Sequence, residues 1–145
     1  MPEDPGGLDN WLDLGLELHR ALQRFQRAAD LATAPLGVTL IQFAVLRSTD
    51  ELCARLDDAV SESDVVAAMG IRKMRVSRAM RALARRGLVD IGPSASGVAY
   101  RVIVTPRGRM ALRECRDRLA ASTDVFRAVA KIASRLAAQS TARSG

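Results

Sequence analysis

Apolar residues recur at helical spacing in six stretches of this chain, and in one short region the period falls to two. The first helical pattern runs from Asp9, a residue suited to capping, to about Leu31. It carries two apolar lines, one through Trp11, Gly15, Leu18, Leu22, Phe25 and Ala29, and a second through Leu8, Leu12, Leu16 and His19. A helix that is apolar over more than one stripe has to be covered on more than one side. In so small a chain, that second side points to another subunit. Ala34-Pro35-Leu36-Gly37 breaks the helix, and Thr39 caps the next, with Ile41, Val45, Leu52 and Leu56 among its apolar positions and Phe43 and Leu46 beside them. Ser61 and Asp64 then show the cap-then-acid spacing of a helix start, and Val65, Val66 and Met69 give this short third helix its apolar face.

Gly70-Ile71 forms a turn, and a fourth helical pattern follows to Gly87, with Val76, Met80 and Leu83 on one face. After Gly87 the period changes. Leu88-Val89-Asp90-Ile91 reads as a short strand, residues 92–97 are dense in turn chemistry, and Val98 to Val104 alternates, with Val98, Tyr100, Val102 and Val104 on one face and Arg101 on the other. This predicts a hairpin. Thr105-Pro106 is a capping hydroxyl followed by proline at the first helical position. The helix it starts runs to about Ala121 with Met110, Cys115 and Leu119 among its apolar positions. A last helix from Asp124 to about Ala138 places Val125, Val129, Ile132 and Leu136 on one face. The fold class is therefore mainly α with a small β-hairpin, and residues 1–7 and 139–145 are expected to be disordered ends.

Charge turns this outline into a functional one. Between Arg72 and Arg86 stand seven basic residues, Arg72, Lys73, Arg75, Arg78, Arg81, Arg85 and Arg86, with no acid among them. A solvated helix mixes signs, because opposite charges three or four residues apart stabilise it and like charges do the reverse. Arg72, Lys73 and Arg75 also sit at the positive end of the helix dipole, where each cation costs about 0.3–1 kcal/mol. Such a surface needs a polyanion to face. The net charge of +6 hides a steep asymmetry: residues 1–64 carry five basic and twelve acidic side chains, and residues 65–145 carry seventeen basic and four acidic. A short helix, a glycine turn, a basic second helix and a hairpin make a winged helix-turn-helix, whose second helix fits the major groove of duplex DNA.

The remaining composition narrows the alternatives. A chain of 145 residues suits one domain with a real core. Five aromatic residues are too few for a single-strand binder built on stacking platforms. Twenty of the 22 basic residues are arginine, a preference that a GC-rich coding bias explains, although it does not explain where the charges fall. The chain shows no leader pattern and no run of eighteen apolar residues, so a soluble, cytoplasmic protein without a membrane partner is expected. Cys53 and Cys115 have neither disulfide-framework nor metal-ligand spacing. Without paired catalytic acids, a phosphate-binding glycine loop or a metal cluster, and with His19 as the single histidine, no enzyme, catalytic residue, metal or cofactor is expected.

Three segments resemble the MarR-type regulators. Residues 70–78 (Gly-Ile-Arg-Lys-Met-Arg-Val-Ser-Arg) with 83–89 (Leu-Ala-Arg-Arg-Gly-Leu-Val) are similar to that family's recognition helix and following turn. Residues 36–46 resemble its second helix, and Val102 to Arg109 its wing-to-helix junction, in the same order. The resemblance covers about residues 8–138 as a single domain, with 36–104 as the winged-helix lobe and 8–33 and 106–138 as dimerisation helices. It implies a homodimer on a pseudo-palindromic double-stranded operator, most often a repressor relieved by a small-molecule effector or by oxidation. Carried over by position, it places Lys73, Met74, Arg75, Ser77 and Arg78 at the groove-facing start of the recognition helix, and Arg72 joins them as a DNA-contact candidate by its charge. Arg75 and Arg78 are expected on base edges, Lys73 and Ser77 on phosphates, Arg81 on either, and Arg85 and Arg86 on phosphates or in a structural role. For the effector, it implies a pocket bordered by Trp11, His19, Phe43, Arg47 and Met110.

Two positions depart from the family. Its members commonly cap the recognition helix with Ser or Thr, and here Arg72 stands there, which predicts a first turn that frays without DNA. The wing tip, Ser94-Ala95-Ser96-Gly97, is uncharged, and Val98 stands near the expected arginine, so the wing either contributes little or is replaced by Arg101, Arg107 and Arg109 from its base. Arg101 is kept as a DNA-contact candidate on that ground. A lone imidazole on an apolar line reads as a hydrogen-bonded core or interface residue, and the two thiols read as inert. The rival readings are a winged helix for non-specific DNA binding or protein contacts without an effector, and a cysteine-based redox-sensing regulator.

Overall fold

The computed structural model describes residues 5–57, 60–93, 100–121 and 123–144. Helix α1 spans Pro5–Thr33, and a single 3-10 turn at Ala34–Leu36 leads through Gly37 to α2, Leu40–Leu56. Gly37 holds a left-handed φ of 68° and closes the turn onto the Ala34 carbonyl, a conformation that glycine adopts without steric cost. Thr39 caps α2 in a full capping box with Gln42, and the Asp30 carboxylate of α1 accepts the Leu40 amide at 2.7 Å. Helix α3, Glu62–Met69, begins on the expected box between Ser61 and Asp64. Helix α4, Lys73–Arg85, then leads into the antiparallel pair β1, Val89–Pro93, and β2, Tyr100–Val104.

The core lies in the lobe built by α2–α4, the hairpin and α5. Val45, Leu46, Val65, Val76, Met80, Leu83, Val89 and Val102 are buried together. The register pairs Val89 with Val104 and Ile91 with Val102. Val102 also donates its amide to the Val60 carbonyl at 2.8 Å, tying the hairpin to the segment before α3. Helix α5, Pro106–Ala120, starts on Thr105, whose hydroxyl accepts the Gly108 amide at 3.0 Å and donates to the Gly87 carbonyl at 2.7 Å. Gly108 is buried against the Leu88 carbonyl, where a Cβ would collide with backbone. Helix α6, Thr123–Ser144, packs mainly along α1, where Arg135 meets Glu17 at 3.4 Å.

Three expectations need correction. Helix α1 begins at Pro5, so residues 5–7 are helical, whereas residues 1–4 lie outside the described residues. The helix α6 continues through residues 139–144 in place of the expected disordered tail. Alanines 137, 138 and 142 favour helix there, and the Thr141 hydroxyl donates to the Ala137 carbonyl at 3.0 Å. Within the chain, the buried line of α1 runs through Leu14, Ala21, Ala29 and Thr33, with Trp11, Leu18 and Phe25 half-buried. Gly15 and Leu22 of the predicted stripe are exposed, as is the whole second line of Leu8, Leu12, Leu16 and His19. Periodicity found apolar residues on more than one side of α1 but missed the buried line itself, since Leu14 and Ala21 belong to neither predicted stripe.

Candidate nucleic-acid interface

Helix α4 divides into two faces. Val76, Met80 and Leu83 are fully buried and Ala79 nearly so, which fixes the rotation of the helix in the lobe. Arg72, Lys73, Met74, Arg75, Arg78 and Arg81 are consequently all exposed on the opposite side. Arg72 occupies the N-cap position in extended conformation, and its side chain makes no capping bond. The first amides of α4 therefore lack a side-chain acceptor, the situation in which a helix start takes up an anion.

Several of the candidate side chains make contacts within the chain. The Ser77 hydroxyl donates to the Glu62 carboxylate at the start of α3. That bond braces the two helices of the motif against each other and, in the free chain, engages the hydroxyl that the resemblance assigned to a phosphate. Arg81 leans back along its own helix, with Nε 3.4 Å from the Ser77 carbonyl. At the far end the Arg86 guanidinium lies against Gly37, so closely that a Cβ there would collide with it, which is a structural role. Arg101 is half-buried on β2 opposite Gly92. The wing tip, residues 94–98, lies outside the described residues.

A concave site of about 520 Å³ opens between α4 and the start of α2. Arg75, Arg78, Arg81 and Arg85 line it over a floor that includes Ile41, Ala79 and Ala82. All its charged lining residues are basic, which suits a sugar-phosphate strand passing between the helices. Sequence reasoning missed the α2 side, Ile41 and Gln42, because nothing local marks which turn of α2 will face α4.

The sequence-predicted effector residues separate. Phe43 and Arg47 line a cavity of about 640 Å³ between the two ends of the fold, with Phe25 of α1, Arg116 and Leu119 of α5 and Phe126 of α6. Phe25 and Phe126 meet edge to face, with centroids 4.7 Å apart. Trp11 and His19 do not line it: on α1 they lie fourteen and six residues before Phe25, about 21 and 9 Å along the axis. Met110 lies elsewhere on α5, 67% exposed and beside Arg86 and Arg107. His19 is exposed in the single chain, so the core reading of that residue is not met.

The thiols differ in setting. Cys115 is fully buried, and burial, reinforced by Glu114 and opposed by Arg118, pushes its pKa up from the ordinary value. Cys53 is half-buried, 3.6 Å from the Val102 carbonyl. Burial of Cys115 disfavours its thiolate. Among the described residues no single helix is long and apolar enough to cross a membrane.

No family model and no curated protein match this chain. Solved structures do match. A MarR family transcription regulator superposes with a TM-score of 0.70 at 20% identity, over 94% of this chain and 90% of that one. A mutant MarR from E. coli complexed with operator DNA gives 0.66 at 20% identity, over 85% and 84%. CouR from Rhodococcus jostii RHA1, bound to p-coumaroyl-CoA, gives 0.62 at 24% identity, over 75% and 74%. The chain is a winged helix-turn-helix protein. Within that class, its order of α1–α4, hairpin, α5 and α6 is the fold of the MarR family transcription regulators.

Proposed function

We propose that this protein is a sequence-specific, double-stranded DNA-binding transcriptional regulator, a homodimer that represses from a pseudo-palindromic operator and is released by a small-molecule effector. The observation that carries this reading is the division of α4. One face is buried to completion while the other exposes only cations and Met74, with no acid between Arg72 and Arg86. Arg75 and Arg78 reach base edges, Lys73 and the uncapped amides after Arg72 take phosphates, and Arg81 and Arg85 guide the strand along the α2–α4 cleft. Arg101 contacts DNA from the base of the wing.

The dimer rests on the second apolar line of α1. Leu8, Leu12 and Leu16 are 60%, 57% and 54% exposed on successive turns of one face, a continuous apolar surface of the kind that marks an interaction site. Two such faces generate the two-fold symmetry that a palindromic site requires. The effector site is the cavity around Phe43 and Arg47, which touches α1, α2, α5 and α6 at once. A ligand there bears on both the dimer helices and the DNA-binding lobe.

Selection of a preferred duplex from a random library, followed by titration against it and a scrambled control over a range of salt, tests the reading. The selected duplex should bind about 10³-fold more tightly or better. Equal binding to both, with only the salt-dependent component, would place the protein among non-specific binders.

A further inference from the structure

The outer face of α4 carries one residue that charge does not account for. Met74 is 67% exposed, the single large apolar side chain of that helix outside the core of the lobe. It stands nine residues before the fully buried Leu83, which at about 100° per residue puts it about 180° around the helix, on the side turned away from the lobe. Arg78, Arg81 and Arg85 follow it at steps of four, three and four, all exposed, and the four residues make the outermost ridge of α4. The flanks of that ridge are engaged elsewhere. Ser77 bonds Glu62 of α3, and Arg75 lines the cleft beside α2, which Met74 does not enter.

Local stability favours other residues at this position. In the first turn of a helix without a side-chain cap, an acid would gain from the free amides and the dipole, whereas an apolar side chain left in water gains nothing. Methionine has no donor and only a weak thioether acceptor, so it holds neither a phosphate nor the hydrogen-bonding edge of a base. The major groove offers it one apolar partner, the C5-methyl group of thymine. The first residues of a recognition helix are those that meet base edges, and an unbranched, polarisable side chain adapts its reach to a methyl group. We propose that Met74 reads a thymine in each half-site by packing on its C5-methyl, and so sets a base preference without a hydrogen bond. The inference rests on reading α4 as the recognition helix, and it adds an apolar contact to the base contacts of Arg75 and Arg78.

Deoxyuridine provides the test, because it keeps every hydrogen-bonding group of thymidine and lacks only the methyl. In the duplex selected from the random library, each thymine on either strand is replaced in turn, in both half-sites together. At one position the replacement should weaken binding by the full chain about tenfold. Met74→Ala should lose about as much on the unmodified duplex and then be indifferent to uracil at that position, while Met74→Leu should retain the discrimination. Binding of Met74→Ala to a scrambled duplex should stay within about twofold of the unaltered protein, since no charge is removed. A selected half-site without thymine, tolerance of uracil at every position, a uracil effect that survives in Met74→Ala, or an equal loss on the scrambled duplex would each overturn the proposal and leave the regulator reading standing. Failure to select any preferred duplex would overturn the regulator reading, and the proposal with it.

Discussion

At the junction of hairpin and α5 a few atoms hold the lobe together. Thr105 caps the helix, bonds the Gly87 carbonyl and brings Gly108 onto the Leu88 backbone. The Thr-Pro signal was legible because capping is local chemistry, but the demand for glycine at 108 arises only where two distant segments touch. Gly108→Ala should therefore destabilise the fold by at least about 1–3 kcal/mol, the usual cost of overpacking, read from the urea midpoint. Cys115 makes a second case. Its buried thiol has a raised pKa, so the fold favours the protonated form, and this contribution is full below the unfolded value and declines as pH rises through the folded one. Alkylation by iodoacetamide at pH 8 should accordingly modify Cys53 well before Cys115, and equal rates would contradict the burial of Cys115.

Helix α4 shows how an element can be tuned away from stability. Its N-cap lacks an acceptor and its first turn holds cations against the dipole, while α2 and α3 carry complete capping boxes. Arg72→Asp should raise stability by about 1 kcal/mol through a restored cap and weaken duplex binding. Amide exchange at Lys73 and Met74 should slow markedly when duplex is added; equal protection with and without it would remove the fraying account. Arg75→Ala and Arg78→Ala should each cost about 1–3 kcal/mol of binding and relax base preference at one position per half-site, whereas Lys73→Ala should weaken all duplexes alike and lower the salt slope by about 1. The element boundaries were legible wherever caps and glycines mark them. The face of α1 turned inward was not, since leucines occupy both of its sides.

The whole molecule joins a negative first part to a positive second part, and the fold interleaves them: α2 of the first packs into the lobe with α4, and α6 of the second packs along α1. The Leu8, Leu12 and Leu16 line remains uncovered in one chain, and burying each leucine on a partner is worth about 1.5–3 kcal/mol. Leu12→Asp with Leu16→Asp should therefore shift sedimentation from a dimer to a monomer and abolish tight operator binding, with the helical circular dichroism of the winged lobe largely retained. A monomeric unaltered protein would refute the two-fold arrangement outright. The aromatic cavity belongs to this scale as well. Phe25, Phe43, Arg116 and Phe126 come from four helices spread over a hundred residues, and no spacing rule links them.

Hydrophobic period, capping residues and charge placement are properties of neighbouring positions, and from them the sequence by itself determined the helices, the hairpin and the basic outer surface of α4. Contacts between segments far apart in the chain have no local trace. Only the tertiary structure decided which apolar face of α1 is covered, that Ser77 bonds Glu62, that Arg86 braces Gly37, and that Trp11, His19 and Met110 stand apart from the cavity, because these depend on how helices dock and not on how each one forms.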